Sequence, residues 1–130
     1  NMTVDQIVTL ASIIERETNV PEERAKVAGV FYNRINSNMK LQSCATVQYI
    51  LKDRKAKLSN ADVQIDSKYN TYKYSGLPIG PIASAGEECI KAALYPEKTT
   101  AKYFVLGKDG KHVFSDTYQQ HLAAKEKAES

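Results

Sequence analysis

Tryptophan is absent from this 130-residue chain, and its apolar runs are only a few residues long. A membrane span needs roughly 20 apolar residues in succession, so the sequence contains none, and nothing in it has the apolar centre of a secretory leader. Cysteine is scarce. Cys44 and Cys89 are too few for a disulfide scaffold and too far apart for a zinc pair, which leaves an oxidised pair or two buried thiols. Charge of one sign is missing as well: 18 basic residues face 15 acidic ones for a net of +3. The basic residues are scattered, and the densest patch, Lys52 to Lys57, includes an Asp and reads as solvated surface, so no nucleic-acid partner is expected. His112 and His121 have no Cys or carboxylate at ligand spacing, Gly76, Gly80 and Gly86 do not make a phosphate loop, and no G-x-S-x-G occurs. Neither a metal nor another cofactor is expected. No linker or repeat divides the chain, and its length suits a single core.

What is present reads as an α+β domain. Thr3 and Gln6 make a capping box ahead of Val4, Ile7, Val8, Ala11 and Ile14, which recur at helical spacing and predict a helix from about Thr3 to Thr18. Pro21 with Glu22 and Glu23 predicts the start of a second helix, ending near Asn36-Ser37-Asn38. A short helix is expected over Ala45 to Leu51 and a further helical turn within Leu58 to Val63. Asp66 to Ser84 holds two Pro, two Gly and three Tyr, the composition of a long ordered loop, and loops of that length are commonly functional. Ser84 with Glu87 reads as a capping box for a helix ending near Leu94. Tyr103–Leu106 and His112–Phe114 flank a Gly-containing turn and predict a β-hairpin, followed by a last helix from about Thr117.

One residue contradicts its helix. At about 100° per residue Glu15 falls between Val4 and Val8, within the apolar stripe, whereas Arg16 lies on the polar side and Glu17 at the stripe's edge near water. A carboxylate on such a stripe is either paired, with Arg24 and Arg34 of the second helix as available partners, or holds a proton for delivery to a leaving group. The tyrosines Tyr69, Tyr72 and Tyr74 of the long loop either stack on a sugar ring or pack the loop.

Read together, LASIIERET (Leu10 to Thr18), KVAGVFYNRI (Lys26 to Ile35), KLQSCATVQY (Lys40 to Tyr49), YNTYKYSGLPIGPIAS (Tyr69 to Ser84), KAALYP (Lys91 to Pro96) and KYFVLGKDGKHVFSDTYQQH (Lys102 to His121) resemble the catalytic domain of the endolytic murein transglycosylases, the MltG or YceG-like family. The resemblance covers nearly the whole chain, in order. It implies a lyase that cuts the β-1,4 bond between N-acetylmuramic acid and N-acetylglucosamine within peptidoglycan strands and leaves 1,6-anhydro ends. It assigns the catalytic acid, acting afterwards as base, to Glu15. It offers Asn33, Gln42, Ser43, Tyr69, Asn70, Thr71 and Tyr72 as substrate-binding groups, with Pro78 and Ile82 in a stiff wall of the cleft. Cys44-Ala45 stands where many relatives have Asp-Pro, and Ile79 where a second Pro is frequent; both bear on loop shape.

By the same resemblance, residues 1–130 are one catalytic domain excised from a longer protein with a single membrane anchor. That protein would work at the extracytoplasmic face of the membrane beside the wall-synthesis machinery, where a Cys44–Cys89 disulfide is chemically allowed. The competing readings are a hydrolytic muramidase using Asp62, Asp66 or Asp116 as second carboxylate, and a non-catalytic peptidoglycan-binding scaffold.

Overall fold

The computed structural model describes residues 2–55 and 57–129. Helix α1 (Val4–Glu17) starts as the sequence predicts: Gln6 N–H donates to the Thr3 hydroxyl at 3.2 Å, and Thr3 N–H donates back to the Gln6 side chain at 2.9 Å. Pro21–Glu23 form one tight 3₁₀ turn before helix α2 (Arg24–Asn36), so the α-helix begins three residues later than expected. That turn carries Glu23 inward, where it is buried. Helix α3 (Cys44–Leu51) gains one residue over the expected range, and the turn anticipated near Val63 is a 3₁₀ turn at Asp62–Gln64.

Helix α4 (Glu87–Leu94) corrects the second capping box. Gly86, not Ser84, is its N-cap and no side chain of its own segment caps it; Gly86 N–H instead donates to Glu15 Oε1 at 2.9 Å. A carboxylate from another helix has replaced the local cap. α1 lies along α4, α2 packs on both, and α3 touches α1. The core between them is Leu10, Ile13 and Ile14 with Val27, Phe31 and Leu41, and the small residues Cys89, Ala92 and Ala93 of α4 let the helices approach.

The chain after α4 runs back over α2. Glu97 N–H donates to Ala25 O at 2.9 Å, Tyr32 Oη–H donates to Ala93 O at 2.7 Å, and the Asn33 amide donates to the carbonyls of Thr99 and Ala101 at 2.6 and 2.8 Å. Gly29 is required here, because a Cβ would collide with the Glu97 carbonyl. Strands β1 (Tyr103–Leu106) and β2 (His112–Ser115) then pair antiparallel, Tyr103 opposite Ser115 and Leu106 opposite His112, with Gly110 at φ 85° in the turn. Glu23 anchors this hairpin from below: its carboxylate accepts from His112 N–H and contacts His112 Nδ1, each at 2.8 Å. Helix α5 (Tyr118–Glu129) packs on both strands. Together these elements are the expected α+β arrangement, and residues 66–84 contain turns and bends but no helix or strand. No helix among the described residues is long and apolar enough to cross a membrane.

Candidate active site

The end of α1 presents Glu15-Arg16-Glu17-Thr18. Thr18 leaves the helix in an extended conformation, φ −149° and ψ 142°, and its hydroxyl accepts from Val20 N–H at 3.0 Å. Two residues apart on a helix means about 200° around its axis, so Glu15 and Glu17 meet different neighbours, although both border one cleft.

Glu15 faces α4. The backbone N–H of Gly86 holds its carboxyl below the usual carboxylate value; burial opposes this, while the Cys89 thiol and the charge of Arg24 add to it. The environment expected of a stored proton is therefore not found at Glu15. Nor is the alternative ion pair: Arg34 spends Nε and Nη1 on the carbonyls of Lys102 and Lys40 at 2.6 and 2.7 Å, and Arg24 acts on Glu15 only through its charge. Glu15 is the cap of α4.

Glu17 faces α3 and the long loop. Desolvation pushes its carboxyl up to about 7, partly offset by the Ser43 hydroxyl and the Arg16 charge, both of which favour the ionised form. The Ser43 hydroxyl is buried and makes no hydrogen bond of full geometry, yet lies near enough to Glu17 to be felt. The residue keeps some accessible surface because it borders open space on two sides. One cleft, about 570 Å³, is lined by both Glu15 and Glu17 with Arg16, Arg54, Ser84 and His112. The other, about 360 Å³, is lined by Glu17 with Arg34, Gln42, Tyr72, Tyr103 and His121. Glu17 is thus shared by two adjoining grooves.

Beside it stands Tyr72, whose hydroxyl lies 3.0 Å from Cys44 Sγ. Burial, then Cys44 and the Glu17 charge, raise the Tyr72 pKa, so the phenol keeps its proton as a neutral donor. Gln42 adopts φ 51°, a left-handed conformation uncommon outside glycine, and its N–H donates to Thr71 O at 3.2 Å. Such a backbone persists where its surroundings over-determine it, as at ligand sites.

The other expected substrate residues divide differently. Thr71 is scaffold: its hydroxyl accepts from Ser43 N–H at 2.9 Å and so pins the Gln42-Ser43 corner. Asn70 is fully buried, with its amide on the carbonyls of Val63 and Ile65. Asn33 is spent on Thr99 and Ala101, as above. Tyr69 packs on Tyr49 with ring centroids 4.9 Å apart, Pro78 is buried in the long loop, and Ile82 is a core residue whose N–H donates to Ser12 Oγ at 3.0 Å. Of the expected set, Gln42, Ser43 and Tyr72 gather at Glu17. Tyr74 turns away to donate to Asp66 at 2.5 Å.

Glu17, Arg34, Tyr103 and His121 line the smaller groove without having been expected there from the sequence. The helical wheel does separate Glu17 from Glu15; what it cannot show is that α3 and the long loop cover the stripe's edge. The candidate second carboxylates are engaged elsewhere, Asp62 with Lys55 at 2.6 Å, Asp66 with Tyr74 and Asp116 with the Thr100 hydroxyl at 2.9 Å, and none of them lines either groove. Both cysteines are free, Cys44 exposed and Cys89 buried, so they are not a disulfide. Among the described residues, no three His, Cys, Asp or Glu side chains come together as a metal site.

These features can be set against known proteins. The chain is 44% identical over 126 residues to a protein named endolytic murein transglycosylase from Bacillus subtilis, covering 97% of this chain and 35% of that protein. It is 36% identical over 127 residues to one of the same name from Streptococcus pneumoniae, covering 93% of this chain and 23% of that protein. The crystal structure of a YceG-like protein from Listeria monocytogenes superposes with a TM-score of 0.89 at 45% identity, over 94% of this chain and 40% of that one. The chain therefore spans about a third or less of these two curated relatives. The profile of the YceG-like family matches residues 1–127, nearly end to end, and the chain belongs to that family.

Proposed function

We propose that this chain is the catalytic unit of an endolytic peptidoglycan transglycosylase, and that Glu17 rather than Glu15 is its acid and base. The observation that carries the reading is a carboxyl raised to about 7 at the junction of two grooves. A strand cut internally must extend past the reacting group on both sides, and Glu17 borders space on both.

Protonated Glu17 donates to the glycosidic oxygen as the C1–O bond breaks, and C1 of the muramyl unit gains oxocarbenium character. The ionised Glu17 then takes the proton of the C6 hydroxyl while that oxygen bonds to C1. The strand ends in a 1,6-anhydro ring, Glu17 is protonated again, and no water is consumed. A pKa near neutrality suits a group that must give and then accept one proton. The 2-acetamido group of the substrate stabilises C1 between the two transfers, while Glu15, the other carboxylate lining the larger groove, is engaged through Oε1 by Gly86 N–H. Tyr72 and Gln42 supply neutral contacts to the sugars next to the bond.

The names of the relatives support peptidoglycan as the substrate. The same reading assigns the parent protein to the outer face of the cytoplasmic membrane, held by an anchor outside this chain and working next to wall synthesis. Mass spectrometry of digested peptidoglycan tests the reaction: 1,6-anhydro ends are expected from the wild type and none from Glu17→Gln. Reducing ends would show hydrolysis instead, and undiminished cleavage by Glu17→Gln would remove Glu17 from the mechanism.

A further inference from the structure

Helix α5 has no buried residue and so adds nothing to the core. It packs on the hairpin and presents Tyr118, His121, Leu122 and Lys125 to the smaller groove at Glu17. The imidazole of His121 lies nearly parallel to the Tyr103 ring, with centroids 5.1 Å apart and planes 24° apart, and the Arg34 guanidinium sits 4.9 Å from that same ring. Arg34 is fixed in turn by two backbone carbonyls. The stack fixes the imidazole, yet His121 Nδ1 is buried without a hydrogen-bond partner. Nδ1 is closed off from the groove, so a ligand there meets the ring through the other nitrogen, Nε2.

The chemistry of that ligand follows from the imidazole's charge. Burial, then Lys125 and Arg34, lower the His121 pKa, so near neutral pH the ring is uncharged, with one donor and one acceptor nitrogen. Such a ring suits the hydroxyl and acetamido groups of a sugar. Tyr118, 58% exposed and 6.3 Å from the imidazole, offers a face on which a pyranose can lie.

We infer that His121 is a substrate-binding residue that holds the sugar unit next to Glu17 through a hydroxyl or acetamido group, with Tyr118 alongside its ring. The inference rests on the glycan-cleaving function proposed above. The test uses the Glu17→Gln chain and a peptide-free GlcNAc–MurNAc tetrasaccharide, with the imidazole resonances of His121 followed by NMR. Saturable shifts at His121 and Tyr72 are expected, and His121→Ala should raise KM on purified peptidoglycan about tenfold while kcat changes less than about threefold and the melting temperature stays put. If the tetrasaccharide shifts Tyr72 but not His121, or if His121→Ala leaves KM unchanged, this inference fails while the proposed function stands. If the tetrasaccharide shifts neither, this inference fails, and the proposed function is decided by the anhydro ends alone. Cleavage surviving Glu17→Gln would overturn the role of Glu17 and, with it, the placement of His121 beside the reacting bond.

Discussion

Glu15 and Glu17 share a helix turn and a residue type, yet their surroundings drive them in opposite directions. Glu15 meets the N-terminus of α4, where a backbone N–H is aimed at it and the ionised form is favoured. Glu17 meets side chains of α3 and the long loop, where desolvation dominates and the proton is favoured. The helix supplies two carboxylates with the same intrinsic chemistry; the neighbouring elements favour the ionised form of one, which caps α4, and the protonated form of the other.

The widest separation between the two is expected in activity. Glu17→Gln should lower kcat by on the order of 10²–10⁴-fold, the contribution of a positioned acid and base. Glu15→Gln should stay within about tenfold of wild type, because its amide oxygen can still accept from Gly86 N–H. Steady-state kinetics on both variants checks this, and comparable losses would erase the distinction.

The pH profile sharpens the same contrast. Strand cleavage begins with protonated Glu17, so kcat/KM of the wild type should fall about tenfold per pH unit above the Glu17 pKa of about 7. Glu15→Gln should keep that limb at the same pH.

Stability separates the two in sign. Glu17 has a folded pKa above its reference value of 4.5, so its ionisation opposes folding increasingly between pH 4.5 and about 7 and by a constant amount above. Glu17→Gln should therefore stabilise the fold at pH 8, by about 1–3 kcal/mol in urea melts. Glu15 has a folded pKa below 4.5, so its ionisation supports the fold above that pH and the support is lost as the pH falls through the lowered value. Glu15→Gln should cost about 0.5–1 kcal/mol at pH 8, and the cost should vanish in acid.

Much of the fold was legible because its signals are local. The Thr3–Gln6 box, the apolar spacing through Ile14, Pro21 and the Gly-containing turn before His112 each act over a few residues, and each element formed close to where it was expected. The loop over residues 66–84 was legible from its Pro, Gly and Tyr content. Ser84-Glu87 carried the same local signal and misled, since a carboxylate 71 residues away took the cap. The same contact bears on the reading of the site. An acid in an apolar stripe suggested a stored proton at Glu15, but an N–H from a distant helix end satisfied it. The site's remaining walls, Arg34, Tyr103 and His121, come from three elements that only the packing of the hairpin and α5 on α2 brings together. Asn33, Asn70 and Thr71 have the chemistry of sugar ligands, and their polar groups are instead consumed by backbone carbonyls, hydroxyls and N–H groups.

Which carboxyl holds the proton near neutral pH separates the two roles. Carbon-detected NMR of the two glutamate side-chain carboxyls, followed as a function of pH, measures this directly. Glu17 is expected to titrate near 7 and Glu15 below 4.5. A Glu17 midpoint at or below 4.5, or a raised midpoint at Glu15 instead, would contradict the assignment.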